Sequence, residues 1–265
     1  MLDDYARALT RRRLSPNTIR LRLFYLTKVE KALGDLLSIN LEQLEWWLAE
    51  HEPRWSENTQ QTAIAGIRSF YKWATDTGRI RENPATEILR LRVHKKPGRM
   101  ASENEIRDGL EVAETPEDKA MILLGAECGF RVSEIAALKL SDRRGKWLTI
   151  IGKGDVQRTV AASPELEALL DVIERTTMRW QFYFPGRSGG HAHPSMIWRH
   201  IRDCCHVNPH SLRHRAVDIV FRGTGKNIKI AQVFAGHAQV TTTQDYLHIV
   251  EDDLELAALA SRIAA

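Results

Sequence analysis

The chain has 265 residues, 43% of them hydrophobic and 27% charged, which suits a globular protein of one large or two ordinary domains with a buried core. No stretch approaches the ~18 consecutive apolar residues of a membrane-spanning helix, and the charged opening MLDDYARALTRRR contains no apolar signal core. Three cysteines, two of them adjacent at Cys204 and Cys205, make no disulfide framework and point to a reducing cytoplasm.

The net charge of +4 is unevenly spread: residues 1–100 carry 18 Lys and Arg against 12 Asp and Glu, the rest 20 against 22. A basic N-terminal part suits a polyanion, most simply nucleic acid, although a solvated basic surface would look the same.

In chain order, Ser15-Pro16 reads as an N-cap and first-turn pair, followed by Ile19, Leu23 and Leu26 at helical spacing up to Gly34. Leu41 to His51 is a second apolar-faced segment. Ser56 caps a third, whose stripe Ala63, Ile67, Phe70, Ala74 ends at Gly78. Three or four such helices would form a small bundle with basic residues on its outer faces. The segment VHKKPGRM (93–100) breaks the pattern and reads as a linker.

Ser102-Glu103-Asn104-Glu105 then opens a new helix with a capping box. KWLTIIGKGDVQRTVAA reads as a β-hairpin turning at Gly152-Lys153-Gly154-Asp155. Further helices are expected over Pro164–Glu174, Pro194–Cys205, Ser211–Phe221, Ile228–Phe234 and Asp252–Arg262. The fold class is therefore mainly α with a small β-hairpin or sheet (α+β), with no internal repeat.

Single candidates for chemistry are weak. Arg131 precedes an apolar-periodic helix, Lys153 sits at a hairpin tip, and both have ordinary surface readings. His210 and Arg213 in HSLRH share a helix face, which a structural polar cluster would also explain. His237 could simply begin a helix and Tyr246 could simply pack. Together, two arginines, a lysine, two histidines and a tyrosine supply what metal-free attack on a phosphodiester needs. Guanidinium forks match phosphate oxygens and neutralise developing charge. A tyrosine of ordinary pKa ~10 needs help to ionise, and a lysine can protonate the departing oxygen.

The order Arg131, Lys153, His210-x-x-Arg213, Gly236-His237, then Tyr246 resembles the tyrosine recombinase family of phage integrases and Xer-type enzymes. GFRVSEIAALKLSD, with Glu134 three positions after the arginine, HSLRH and GHAQVTTTQDYLHI carry the match. SPNTIRLRLFYLTKVEKAL and TQQTAIAGIRSFYKWATDTGRIRENPA are similar to the family's core-binding helices. Ala235 departs from the leucine that often precedes the Gly-His pair.

The resemblance implies a SAM-like core-binding domain over 1–92, a linker over 93–100 and a catalytic domain over 101–265, of the simple type without an arm-binding domain. It implies Arg131, Arg213 and His237 on the scissile phosphate, Tyr246 as nucleophile, His210 as proton acceptor and Lys153 as proton donor. No cofactor, metal or ATP is implied. The expected partner is duplex DNA at an attachment or core site, gripped at phosphates by groups such as Arg11, Arg12, Arg13, Arg20, Lys95 and Lys96. A homotetramer exchanging the C-terminal segment EDDLELAALASRI, and a directionality factor, are further expectations. The first biological expectation is integration and excision of a phage or mobile element; the alternatives are Xer-type dimer resolution and a non-catalytic DNA-binding protein on the same scaffold. A metal-dependent relaxase would use a His-apolar-His pair, which His191-Ala192-His193 matches by letter.

Overall fold

The computed structural model describes residues 1–89, 98–152, 157–177, 181–187 and 189–236, and the chain divides into two units, Met1–Lys95 and Lys96–Ala265. In the first unit α1 covers Leu2–Arg11 and α2 Pro16–Leu33. Ser15 Oγ accepts the Thr18 N–H at 3.2 Å, and Pro16 fills a first-turn position whose N–H has no helical partner anyway. α3, Leu41–His51, starts with reciprocal bonds between Asn40 and Gln43 of 2.9 and 3.0 Å. α4, Glu57–Asp76, is capped by Ser56.

The apolar stripe of α4 (Ala63, Ile67, Phe70, Ala74) is buried and packs along Leu26 and Val29 of α2. Tyr5 and Leu9 of α1, with Leu44 and Trp47 of α3, complete that core. Each such large apolar side chain contributes about 1.5–3 kcal/mol relative to exposure, enough for a bundle to hold its shape.

In the second unit α5 spans Glu103–Val112, and its Ser102–Glu105 capping box is formed by bonds of 3.2 and 2.8 Å. α6, Pro116–Ala126, is buried on every side from Ala120 onward, as expected of a helix that is apolar all round. It is wrapped by α5, α8 (Pro164–Thr177), α9 (Pro194–Cys205) and α10 (Pro209–Gly223). α7 is the short Val132–Ala136 and α11 is Ile228–Ala235.

The expected hairpin is a three-stranded antiparallel sheet in the order β1 (Arg143–Arg144), β2 (Trp147–Ile151), β3 (Gln157–Ala161). β1 has two residues, too few for a period-2 pattern to announce it. Leu148 lies opposite Val160 and Ile150 opposite Arg158, so these four positions share the buried face.

α10 begins at Pro209 rather than Ser211, because Asn208 Oδ1 accepts the His210 N–H at 3.0 Å and Pro209 takes the first turn. Among the described residues the protein is mainly helical with one small sheet. Among the described residues no helix is long and apolar enough to cross a membrane. The expected helix Asp252–Arg262 lies outside them.

Candidate active site

α6 ends in the turn Cys128-Gly129-Phe130, which delivers Arg131 to the start of α7. Gly129 has φ +63°, and a Cβ there would stand 2.8 Å from the Phe234 ring, so only glycine fits. One turn into α7, Glu134 faces back. Its Oε2 accepts the Arg131 backbone N–H at 2.8 Å and its Oε1 accepts Arg131 Nη1 at 2.6 Å. Arg131 is thus held by one nitrogen of its fork, while a quarter of its side chain (23%) stays exposed for a ligand.

Arg213, on the second turn of α10, is fully buried. Its Nη1 donates to the Gly129 carbonyl and its Nη2 to the Ala235 carbonyl at 2.6 Å. It lies 4.0 Å from Glu134 Oε2. Arg213 therefore ties the Arg131 turn to the end of α11, whose C-cap Gly236 has φ +63° and leads directly into His237.

A third guanidinium closes the group. Arg158 of β3 donates Nη1 and Nη2 to the two oxygens of Glu134 at 3.1 and 2.8 Å. Burial would push the Glu134 carboxyl up, but the bonds and charge of Arg158 and Arg131 hold it down to about 2. One carboxylate among three arginines leaves the cluster positive, as a phosphate site requires.

His210 lies one turn before Arg213 on α10 and keeps an exposed edge. Removal of water from part of its ring, then the charges of Arg213 and Arg131, lower its pKa below the usual imidazole value. At neutral pH it is an uncharged base. Burial, with Glu127, pushes the neighbouring Cys128 thiol up to about 12, so it is no competing nucleophile.

Arg131, His210 and Arg213 are thus brought together. Lys153, His237 and Tyr246 lie outside the described residues, as do Lys95 and Lys96. Arg158 was missed by sequence reasoning; its signal was its place two residues before Val160 on the buried side of an alternating strand.

His191-Ala192-His193 has a local structural use. His193 Nδ1 accepts the Ser195 N–H at 3.2 Å and caps α9, while His191 Nδ1 lies 2.7 Å from the Ala192 carbonyl oxygen.

In the first unit Arg11, Arg12, Arg13 and Arg20 are exposed, with Arg20 bonded to Asn17 at 2.8 Å. None of the four lines the unit's cleft of about 490 Å³, which is bordered by Arg22, Gln61, Arg68, Ser69, Lys72 and Asn83. There Tyr5 and Arg22 both donate to Ser69 Oγ at 2.8 Å.

The fold is that of a DNA strand-cleaving and rejoining enzyme. The profile of the Phage integrase family matches residues 99–252, and that of the phage integrase N-terminal SAM-like domain matches residues 2–78. The chain belongs to the phage integrase family, the tyrosine recombinases. Tyrosine recombinase XerC of Xylella fastidiosa (strain 9a5c) is 29% identical over 237 residues, 83% of this chain and 80% of the relative. A lambda integrase (75–356) dimer bound to a COC' core site aligns with TM-score 0.76 at 16% identity, covering 92% of this chain and 93% of that one. A lambda integrase tetramer bound to a Holliday junction aligns with TM-score 0.74 at 16% identity, covering 91% and 77%. The two solved structures share the fold.

Proposed function

We propose that the chain is a site-specific recombinase in which Tyr246 attacks a DNA phosphate held by Arg131 and Arg213. The carrying observation is the buried cluster in which Glu134 orients Arg131, Arg213 joins the same turn, and uncharged His210 sits at the edge. Tyr246 Oη bonds to phosphorus as the 5′-oxygen leaves, giving a 3′-phosphotyrosyl link and a free 5′-hydroxyl. His210 accepts the tyrosine proton, Lys153 supplies one to the leaving oxygen, and His237 adds a hydrogen bond to the phosphate. The link conserves the phosphodiester, so rejoining needs no ATP.

The choice of Tyr246 is supported by elimination. The sequence has 5 tyrosines, and Tyr5, Tyr25, Tyr71 and Tyr183 are buried in the two cores. Burial raises the pKa of Tyr5, Tyr71 and Tyr183, which makes them poorer nucleophiles still.

The DNA-bound dimer and tetramer among the structural neighbours support duplex DNA as partner and a tetrameric working assembly, and exchange of the C-terminal segment 251–263 between protomers is part of this reading. Arg11, Arg12, Arg13, Arg20, Lys95 and Lys96 would grip phosphates, in a cytoplasmic setting and with a directionality factor if the element must be excised. The setting is integration and excision of a mobile element. Xer-type dimer resolution is the second reading, favoured by the relative named XerC.

The test is recombination in cells between two plasmids carrying the DNA that flanks this gene, against a plasmid pair carrying the host chromosome's dimer-resolution site. Exchange confined to the first pair supports integration, and exchange confined to the second supports resolution. Exchange on neither, with the protein bound to both, contradicts the recombinase reading.

A further inference from the structure

Arg158 is a buried, charged side chain that no step above uses. It projects from β3 on the core side, beside Val160, and its side chain is 1% exposed. A guanidinium so placed needs partners, and among the described residues its two terminal nitrogens have them while the buried Nε has no hydrogen bond. Both fork nitrogens meet the two oxygens of Glu134. Nη2 also lies 3.5 Å from the Gly129 carbonyl, the acceptor that Arg213 uses, and the guanidinium carbon is 5.4 Å from the centre of the Phe130 ring. On its other side a Cβ at Gly236 would come within 2.8 Å of Nη1, so the residue before His237 has to be glycine for Arg158 to stay.

One side chain therefore touches the turn that presents Arg131, the carboxylate that aims Arg131, and the residue that ends α11. Glu134 Oε1 is shared by Arg131 Nη1 and Arg158 Nη1, so the direction of Arg131 follows from where Arg158 fixes the carboxylate. Its burial keeps it from DNA.

We propose that Arg158 is a positioning residue for strand cleavage, which holds Glu134 and the Gly129 turn so that Arg131 and Arg213 meet the phosphate in register with Gly236 at the end of α11. This rests on the recombinase reading. A point charge would neutralise Glu134 equally well, but only the planar fork fixes both oxygens at once.

The experiment is single-turnover formation of the covalent protein–DNA adduct on a nicked duplex from the DNA flanking the gene. Wild type, Tyr246→Phe, Arg158→Lys and Arg158→Met are compared. Arg158→Lys keeps the charge and loses the fork, while Arg158→Met leaves Glu134 bonded to the Arg131 backbone N–H and Nη1, so neither change strands the carboxylate. Thermal melting and DNA titration are run alongside.

The expected result is melting close to wild type for Arg158→Lys and wild-type DNA affinity for both Arg158 variants, with a maximal cleavage rate lower by about 100-fold. The deficit also persists on a substrate with sulfur at the bridging 5′ position, whose thiolate leaves without a proton. Wild-type cleavage by Arg158→Lys or Arg158→Met overturns the proposal. So does rescue by the sulfur, because Arg158 would then act through Lys153 and not through the phosphate clamp. An adduct absent from wild type, or retained by Tyr246→Phe, sinks the recombinase reading and this inference with it; adduct rates in the Arg158 variants equal to that of wild type sink this inference alone.

Discussion

The arginines at the site are used in two distinct ways. Arg213 is held by protein at both terminal nitrogens: buried carbonyls of Gly129 and Ala235 take them, and Glu134 stands within 4.0 Å. Arg131 is tethered by Glu134 through a single nitrogen and keeps an exposed flank. Arg131→Lys therefore leaves melting close to wild type and lowers the cleavage rate by about 10²–10³-fold, the usual effect of losing one preorganised donor. Arg213→Lys loses the same rate and also lowers the melting temperature, because two buried carbonyls lose their fork. A melting scan beside an adduct time course separates the two.

His210 adds a pH signature. Burial and the two arginines lower its pKa, so the uncharged, proton-accepting form persists below the ordinary imidazole value of ~6.5. The cleavage rate is expected to hold level as pH falls to that value and to decline only below it, as the base becomes protonated. An acid limb centred above ~6.5 contradicts this assignment.

Elements carry these side chains, and their starts decide where the side chains go. Asn208 caps α10 directly ahead of His210. Asn208→Ala is expected to cost about 1 kcal/mol, seen as a melting temperature lower by about 2–4 °C, with a cleavage loss larger than that stability change alone would give. Equal losses would make the cap purely structural.

The helical elements were legible because their signals are local. Ser15-Pro16, Ser56 and Ser102 with Glu105 mark starts by chemistry within four residues. α10 starts two residues earlier than expected because Asn208 and Pro209 supply the cap and the first turn ahead of Ser211. β1 and Arg158 were not legible for a different reason: a two-residue strand has no period. A buried arginine also reads as a surface residue until its partner Glu134, 24 residues away, is brought beside it by the fold. Arg131, Glu134, His210 and Arg213 were found in the sequence because the motif letters are specific, whereas the convergence of Arg131 with Arg213 is tertiary.

For the whole molecule, the basic excess of residues 1–100 is the feature that bears on DNA. Phosphate contacts are sequence-independent and release counterions, so affinity falls with salt by a slope of about 0.9 per contact. If Arg11, Arg12 and Arg13 grip phosphates, changing all three to Gln weakens binding to any duplex alike and reduces the slope by about 2–3. An unchanged slope would remove them from the interface and turn attention to the cleft of Arg22, Gln61 and Lys72.

The most direct measurement of the central claim is covalent capture. The protein is incubated in EDTA with labelled duplexes from the DNA flanking its gene, quenched in SDS, and the adduct is digested and sequenced by mass spectrometry. The account predicts a DNA-linked peptide carrying the phosphate on Tyr246, absent from Tyr246→Phe. Linkage to another residue, or an adduct undiminished in Tyr246→Phe, would contradict it.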